Sequence, residues 1–200
     1  MKLKQALPFI LLAAIIGPAA IKAFHTPEAP PAAAPVRAPE PRLPEAPATP
    51  EAWFDGIRAR CTPAEVRLAT DLRPPPDGPA GTGFEAACFA LARQIPTARA
   101  HVLSLPEAER LEAAARVYDV GQRLVGEGRQ DVAGPLMELV LEFWPNHYLA
   151  LYAAGTARYA EGDTAGAREP LAHFLDVYTG NDDLTANARR IVGDAREAER

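Results

Sequence analysis

A self-similarity with a period of 34 residues occupies the C-terminal half of this 200-residue chain. Residues 117–145 and 151–179 align without a gap, and large apolar positions correspond as well as identical ones. The identical pairs are Tyr118/Tyr152, Gly121/Gly155, Glu127/Glu161, Gly128/Gly162 and Ala133/Ala167. A fixed period of this length is typical of stacked supersecondary units, because a single unit cannot bury its apolar face alone. The chain is therefore predicted to contain a repeat array.

The two copies resemble the tetratricopeptide repeat family. The family pattern has a large residue, Leu-Gly, a Tyr, a small Ala where the helices cross, an aromatic residue and a closing Pro. The copies here read Val117-x2-Val120-Gly121-x2-Leu124, Ala133-x3-Met137, Pro145 and Leu151-x2-Ala154-Gly155-x2-Arg158, Ala167-x3-Leu171, Thr179. The resemblance implies an all-α solenoid of antiparallel helix pairs with a concave binding face.

Residues 1–24 look like a membrane-targeting segment. Lys2 and Lys4 precede a mostly apolar run over residues 6–21. The run is longer than the core of a typical signal peptide and slightly short for a bilayer span. A transmembrane helix with the C-terminal domain outside the cytoplasm is the favoured interpretation, because basic residues stay inside. A cleaved signal, giving a secreted or periplasmic protein, and an ordinary buried helix are the alternatives.

Residues 25–50 are predicted to be a disordered linker. Nine of these residues are Pro and seven are Ala. Such a composition favours extended polyproline II and offers little apolar surface to bury. Residues 51–200, which remain for folding, contain 16 Arg, no Lys and 23 Asp or Glu, a formal charge of −7. This excess of negative charge argues against nucleic acid as the partner.

The folded part is predicted to be helical, with strand signals nearly absent. Thr62-Pro63-Ala64-Glu65 and Thr82 with Glu85 fit capping boxes that would start two helices. Leu111 is expected on the buried side of a long helix, and Trp144 in the core at the end of the first repeat. The predicted divisions are 51–113 (a degenerate N-terminal part of the solenoid), 114–146 and 147–180 (two repeats) and 181–200 (a capping helix).

Residues for catalysis are scarce. The one serine, Ser104, lacks a nucleophile-elbow motif, and no lysine follows Lys22. His147 and His173 are isolated histidines on different predicted helices, so a metal site is not expected. We therefore expect no enzyme activity, no cofactor and no small-molecule substrate.

Two pairs of residues bear on the N-terminal part of the domain. Cys61 and Cys88 are the only cysteines, and outside the cytoplasm they would either form a disulfide or be two small buried apolar residues. Trp53 and Phe54 follow the linker at once. They would either pack the first helix onto the core or dock on a partner.

The family resemblance also implies a binding surface. In this family the first helix of each pair lines the concave groove. Carried over by register, the groove residues are Tyr118, Gln122, Val125, Tyr152, Thr156, Tyr159 and Arg190. Such an aromatic, mildly polar surface suits an extended or helical peptide with apolar anchors, and capture of a C-terminal carboxylate is not expected.

The expected function is that of a bacterial, membrane-anchored, envelope-side scaffold or adaptor with a protein or peptide partner. The rival interpretation is a structural or accessory subunit of an envelope enzyme, transport or assembly complex. Both follow from the layout and from fold-level analogy.

Overall fold

The structure is a computed structural model and describes residues 49–198. The predicted membrane segment and all but the last two residues of the predicted linker lie outside this range. All regular elements of the described part are helices, and it contains no strand. Its elements are α1 (Pro50–Ile57), a 3-10 turn (Arg58–Arg60), α2 (Val66–Leu72), α3 (Pro79–Leu91), α4 (Ile95–Leu103), α5 (Glu107–Gly126), α6 (Gln130–Phe143), α7 (Tyr148–Ala160), α8 (Thr164–Val177) and α9 (Asp183–Ala198). Among these helices, none is both long enough and apolar enough to cross a membrane.

Three helix hairpins, α3–α4, α5–α6 and α7–α8, form the centre of the domain. The same turn joins the two helices of each hairpin: one residue adopts a left-handed conformation, and the next amide donates to the carbonyl five residues earlier. The left-handed residues are Arg93, Gly128 and Gly162, with φ of 59°, 74° and 86°. The first hairpin thus shares the turn of the two predicted repeats, although its residues had been assigned to a degenerate region.

Small residues allow the two helices of each hairpin to approach closely, as predicted from the repeat. Ala133 and Ala167, near the start of α6 and α8, are fully buried, and Ala98 occupies the corresponding place on α4. At Gly121 an added Cβ would lie 2.8 Å from the terminal methyl carbon of Met137. These positions leave no room for a larger side chain unless a neighbour moves.

The junctions between hairpins are not all alike. The second helix of one unit packs on the first helix of the next at α6–α7 and again at α8–α9. At the first junction α3, rather than α4, makes the main contact with α5. Gly83 allows this approach, since a Cβ there would lie 2.4 Å from the carbonyl oxygen of Ala113. The N-terminal hairpin therefore has the same turn as the others and a different packing partner.

The N-terminal helix covers the end of the array. Trp53 and Phe54 are fully buried, and the ring of Phe54 stacks on that of Phe84 with centroids 5.4 Å apart. The indole Nε1 of Trp53 donates to the carbonyl oxygen of Arg73 over 2.8 Å, which satisfies its buried polar group. Of the two interpretations of these aromatics, the structure supports packing onto the core. The last two residues of the predicted linker belong to the folded part, because Thr49 caps α1 and Pro50 begins it.

Both predicted capping boxes are wrong. The helix after Cys61 begins only at Val66, and the carbonyl of Thr62, not its hydroxyl, accepts the amides of Glu65 and Val66. Residues 63–65 form a turn before this helix. The next helix already begins at Pro79, which favours a first helical position. Thr82 therefore lies within the first turn of α3 instead of preceding it.

Two residues predicted to be buried are exposed. Leu111 is 47% exposed, because the buried stripe of this part of α5 runs through Ala113 and Val117 instead. Trp144 is 37% exposed, because α6 ends at Phe143 and the indole lies on the connection to α7. Neither side chain contributes to the core.

Candidate protein-binding groove

A groove of about 480 Å³ lies between α5, α7 and α9, the helices that follow one another as first members of successive units. On each helix the lining residues recur at spacings of three or four, which places them on one face. The groove is lined by Gln122, Val125, Gln130, Ala133, Leu149, Tyr152, Ala153, Thr156, Tyr159, Ala160, Leu184, Asn187, Arg190 and Ile191.

Six of the seven residues placed in the groove by register line this one cavity. They are Gln122, Val125, Tyr152, Thr156, Tyr159 and Arg190. The seventh, Tyr118, does not line it. Its ring packs against the imidazole of His147, with centroids 4.1 Å apart. Burial raises the pKa of Tyr118, and a hydrogen bond with Gln122 opposes that rise.

Two tyrosine hydroxyls connect α7 with α9 along the groove. The hydroxyl of Tyr152 accepts a hydrogen bond from Nδ2 of Asn187 over 2.8 Å. The hydroxyl of Tyr159 donates to Asp194 over 3.0 Å and accepts from Nη1 of Arg190 over 3.2 Å. These bonds hold both aromatic rings in place before any ligand arrives, which lowers the entropy lost on binding.

Arg190 is not available as a carboxylate clamp. Its guanidinium forms an ion pair with Asp194 over 3.0 Å and lies 5.3 Å from the ring centroid of Tyr159. The hydroxyl of Thr156 is engaged as well, since it donates to the carbonyl oxygen of Tyr152 over 2.9 Å. The groove therefore presents aromatic faces and amides to a ligand, with no uncompensated positive charge among its lining side chains.

Asn187 is the main groove residue that the sequence analysis did not find. It lies one turn before Arg190 on α9, and its side-chain oxygen accepts from that guanidinium over 2.9 Å. The spacing of three to Arg190 was the signal that could have identified it. The family resemblance makes α9 a capping helix, so it indicates Arg190 alone from this helix.

A second group of aromatic side chains lies where α6 meets α7 and where α8 ends. We call Tyr118, Trp144, His147, Tyr148 and Tyr178 the aromatic edge. Ring centroids are 4.3 Å apart between Trp144 and His147 and 4.9 Å apart between Tyr148 and Tyr178, whose planes differ by 8°. The Nδ1 atom of His147 accepts the amide of Ala150 and so caps α7. Burial lowers the pKa of His147.

A second cleft, of about 580 Å³, is a weaker candidate for a binding site. It lies between the 3-10 turn and the start of α6. Its charged side chains are largely engaged in ion pairs within the domain, Asp55 with Arg123 and Arg58 with Glu127, both over 2.8 Å. A ligand there would have to compete with these contacts.

Cys61 and Cys88 form a disulfide between the residue after the 3-10 turn and α3. Of the two interpretations of these cysteines, the structure has the bridge.

Within residues 49–198, no three His, Cys, Asp or Glu side chains are grouped to hold a metal ion. Comparison with known proteins finds no matching family model, no matching curated protein and no matching solved structure. The function is therefore inferred from the residues of this chain.

Proposed function

We propose that this protein is a membrane-anchored, envelope-side scaffold of tetratricopeptide type that captures an extended or helical protein segment in the groove between α5, α7 and α9. The observation that supports this most directly is the meeting of six register-predicted residues in one cavity. Residues that lie up to 68 positions apart in the chain, from Gln122 to Arg190, converge there.

The repeated hairpin geometry supports the family part of the proposal. α5–α6 and α7–α8 share the left-handed Gly in the turn, the buried Ala near the start of the second helix and the Gly opposite a large apolar residue. Stacked hairpins of this kind present the first helix of each pair on one continuous surface. A binding role fits such a surface better than catalysis, because the tyrosine hydroxyls and Arg190 are already paired within the domain.

The envelope location rests on the sequence. Lys2 and Lys4 before an apolar run predict a span with a cytoplasmic N-terminus. A disulfide joining Cys61 and Cys88 is typical of proteins outside the cytoplasm, where thiols become oxidised. The Pro/Ala-rich segment before Thr49 would then act as a spacer between the membrane and the groove.

The groove is tested by truncating its aromatic rings. We expect Tyr152→Ala and Tyr159→Ala to weaken capture of the partner from solubilised membranes by about tenfold each, as hot-spot aromatics do. Tyr152→Phe and Tyr159→Phe keep the rings and remove only the hydroxyl bonds to α9. They are the matched controls that separate loss of the ring from loss of the contact between α7 and α9. Glu161→Gln, on an exposed turn, is the neutral control.

Capture is measured beside circular dichroism and thermal unfolding. Full capture by both Ala variants, or loss of capture only where the helices melt, contradicts the proposal. The rival function, a structural subunit of an envelope complex, is distinguished by the stoichiometry of the captured material. One obligate partner at a constant ratio favours the subunit, and several exchanging partners favour the adaptor.

A further inference from the structure

The aromatic edge carries large apolar side chains that are exposed to solvent. Seven large apolar side chains in the described part of the chain are notably exposed. Two of them, Trp144 and Tyr148, belong to the edge and are 37% and 40% exposed, and a third, Val177, directly precedes Tyr178 and is 37% exposed. Contacts between rings link them: Trp144 packs on His147, and Tyr148 stacks on Tyr178, the residue after Val177. None of these side chains lines the groove.

The rings of the edge are held in fixed positions. The hydroxyl of Tyr178 donates to Asp182 over 2.6 Å, which raises the pKa of Tyr178 and lowers that of Asp182. Tyr178 also stacks on the buried Phe174, with centroids 5.0 Å apart. Trp144 meets the edge of the His147 ring, whose Nδ1 is engaged in capping α7. A ligand would therefore meet a preformed surface, and little side-chain entropy would be lost on binding.

Carboxylates, but neither Arg nor Lys, lie in the two chain segments that form most of the edge, and burial lowers the pKa of the one histidine there, His147. Residues 144–148 read WPNHY and residues 176–183 read DVYTGNDD, with three Asp and neither Arg nor Lys. Asp182 is occupied by Tyr178 and by the first amides of α9. Asp176 and Asp183 form no ion pair with another described residue. Their charge is available to a partner.

We propose that the aromatic edge docks a basic segment of a partner protein, whose Arg or Lys side chains lie over the rings of Trp144 and Tyr148 and pair with Asp176 and Asp183. Aromatic faces attract cations, and Trp and Tyr do so most strongly. Local negative charge adds specificity for a basic partner and speeds association. The same charge disfavours an anionic membrane surface and a second copy of this chain, whose net charge is −5.

This site is separate from the groove, and it can exist whether or not the groove binds a ligand. The test uses the full-length chain in mild detergent and two synthetic helical probes. One probe combines Leu with Arg, and its matched partner has Glu at every Arg position. We expect only the Arg probe to bind, with an affinity that falls as salt is raised.

Variants then assign the binding to the edge. Trp144→Ala and Tyr148→Ala should each weaken binding of the Arg probe about fivefold or more. Tyr148→Phe, which keeps the ring, should bind as the parent does. Asp176→Asn with Asp183→Asn should reduce the salt dependence, and Asp182 is left unchanged because it caps α9. Leu68→Ala, at an exposed position on α2 outside both the groove and the edge, is the control and should leave probe binding unchanged.

Equal binding of the Arg and Glu probes overturns the proposal, as does unchanged binding of the Arg probe by Trp144→Ala and Tyr148→Ala. Two further measurements test whether a lipid membrane or a second copy of this chain covers the edge. If vesicles of anionic lipid bind the chain through Trp144, the edge is a membrane contact instead. If the chain dimerises in sedimentation and Trp144→Ala makes it monomeric, the edge is an interface between copies.

Discussion

Leu171 on α8 packs directly over the backbone of Gly155 on α7, so closely that a Cβ at Gly155 would lie 2.4 Å from Cγ of Leu171 and 3.2 Å from the carbonyl oxygen of Ala167. Met137 packs over Gly121 in the same way in the preceding hairpin, but there the nearest atom is the flexible terminal methyl carbon, 2.8 Å away. Two equivalent positions of the repeat thus differ in how readily their neighbour can move.

We predict different outcomes for the same substitution at these two glycines. Gly→Ala in a helix interior stabilises by about 1 kcal/mol where there is space. At Gly121 this gain should be offset by the small cost of moving the end of Met137, which can rotate away. Gly121→Ala should therefore leave the free energy of unfolding nearly unchanged. Gly155→Ala should destabilise by about 1–3 kcal/mol, because the branch point of Leu171 cannot move without disturbing the crossing. Denaturant unfolding of both variants gives the comparison. Equal effects would show that the two crossings are equally tight.

The cap at His147 should make stability depend on pH. Burial lowers its pKa from the usual 6.5, so the folded state favours the neutral ring. The contribution of neutral His147 to the free energy of unfolding is complete above pH 6.5. It is lost as the pH falls towards the lower pKa that His147 has in the folded state, because the unfolded chain then binds the proton more readily. Protonated Nδ1 cannot accept the amide of Ala150, and a positive charge at the start of α7 is unfavourable.

The expected loss is about 1 kcal/mol, the size of a typical N-cap contribution. It is measured by urea unfolding between pH 7 and pH 5. His147→Asn retains a capping oxygen without a titrating ring and should flatten this part of the profile. The contact of His101 with Glu85 is common to both proteins, so it does not distinguish parent from variant. A parallel decline of parent and variant would assign the pH dependence to other groups.

The disulfide should stabilise the N-terminal part of the domain. Its two cysteines are 27 residues apart, and a closed loop of this size restricts the unfolded chain by about 3–4 kcal/mol. We expect the double variant Cys61→Ala with Cys88→Ala to lose stability by up to this amount and to match the parent under reducing conditions. Thiol labelling of unfolded, unreduced protein should find no free thiol. Two reactive thiols in protein freshly isolated from its own compartment would contradict the prediction.

The topology prediction concerns residues outside the described range. If residues 1–24 span the membrane with Lys2 and Lys4 inside, a reporter that is active only outside the cytoplasm should work when fused after Arg200. Lys2→Glu with Lys4→Glu is the matched variant and should lower correctly oriented insertion. Cytoplasmic activity of the fusion, or a fully soluble full-length chain, would refute a single span in this orientation.

The repeat was predictable from the sequence because its signals are local and occur twice. Gly128 and Gly162 mark the left-handed turn residue, since glycine adopts that conformation at little cost. The first hairpin was missed because Arg93 occupies the same conformation without that signal, and Ala86 stands where the later hairpins have Gly121 and Gly155. A left-handed arginine is rare enough that sequence alone does not suggest it.

The groove was predictable for a related reason. Register along a helix fixes which side chains share a face, so six residues could be placed once the family resemblance indicated which helices line the groove. Tyr118 was misplaced because the connection before α7 folds His147 against its ring, and the path of a loop is not encoded by period. The same contact, together with the exposure of Trp144, created an aromatic edge that no spacing pattern indicated.

The bridge between Cys61 and Cys88 also changes what a break in the backbone would do. The segment between α2 and α3 includes Pro74, Pro75 and Pro76 and ends at Gly78, whose φ of 102° an L side chain rarely adopts. A protease that cuts in this segment would leave both fragments joined by the disulfide as a single covalent molecule. Trp53 and α1 would then stay attached to the hairpins, and the cut would become visible in size only after reduction.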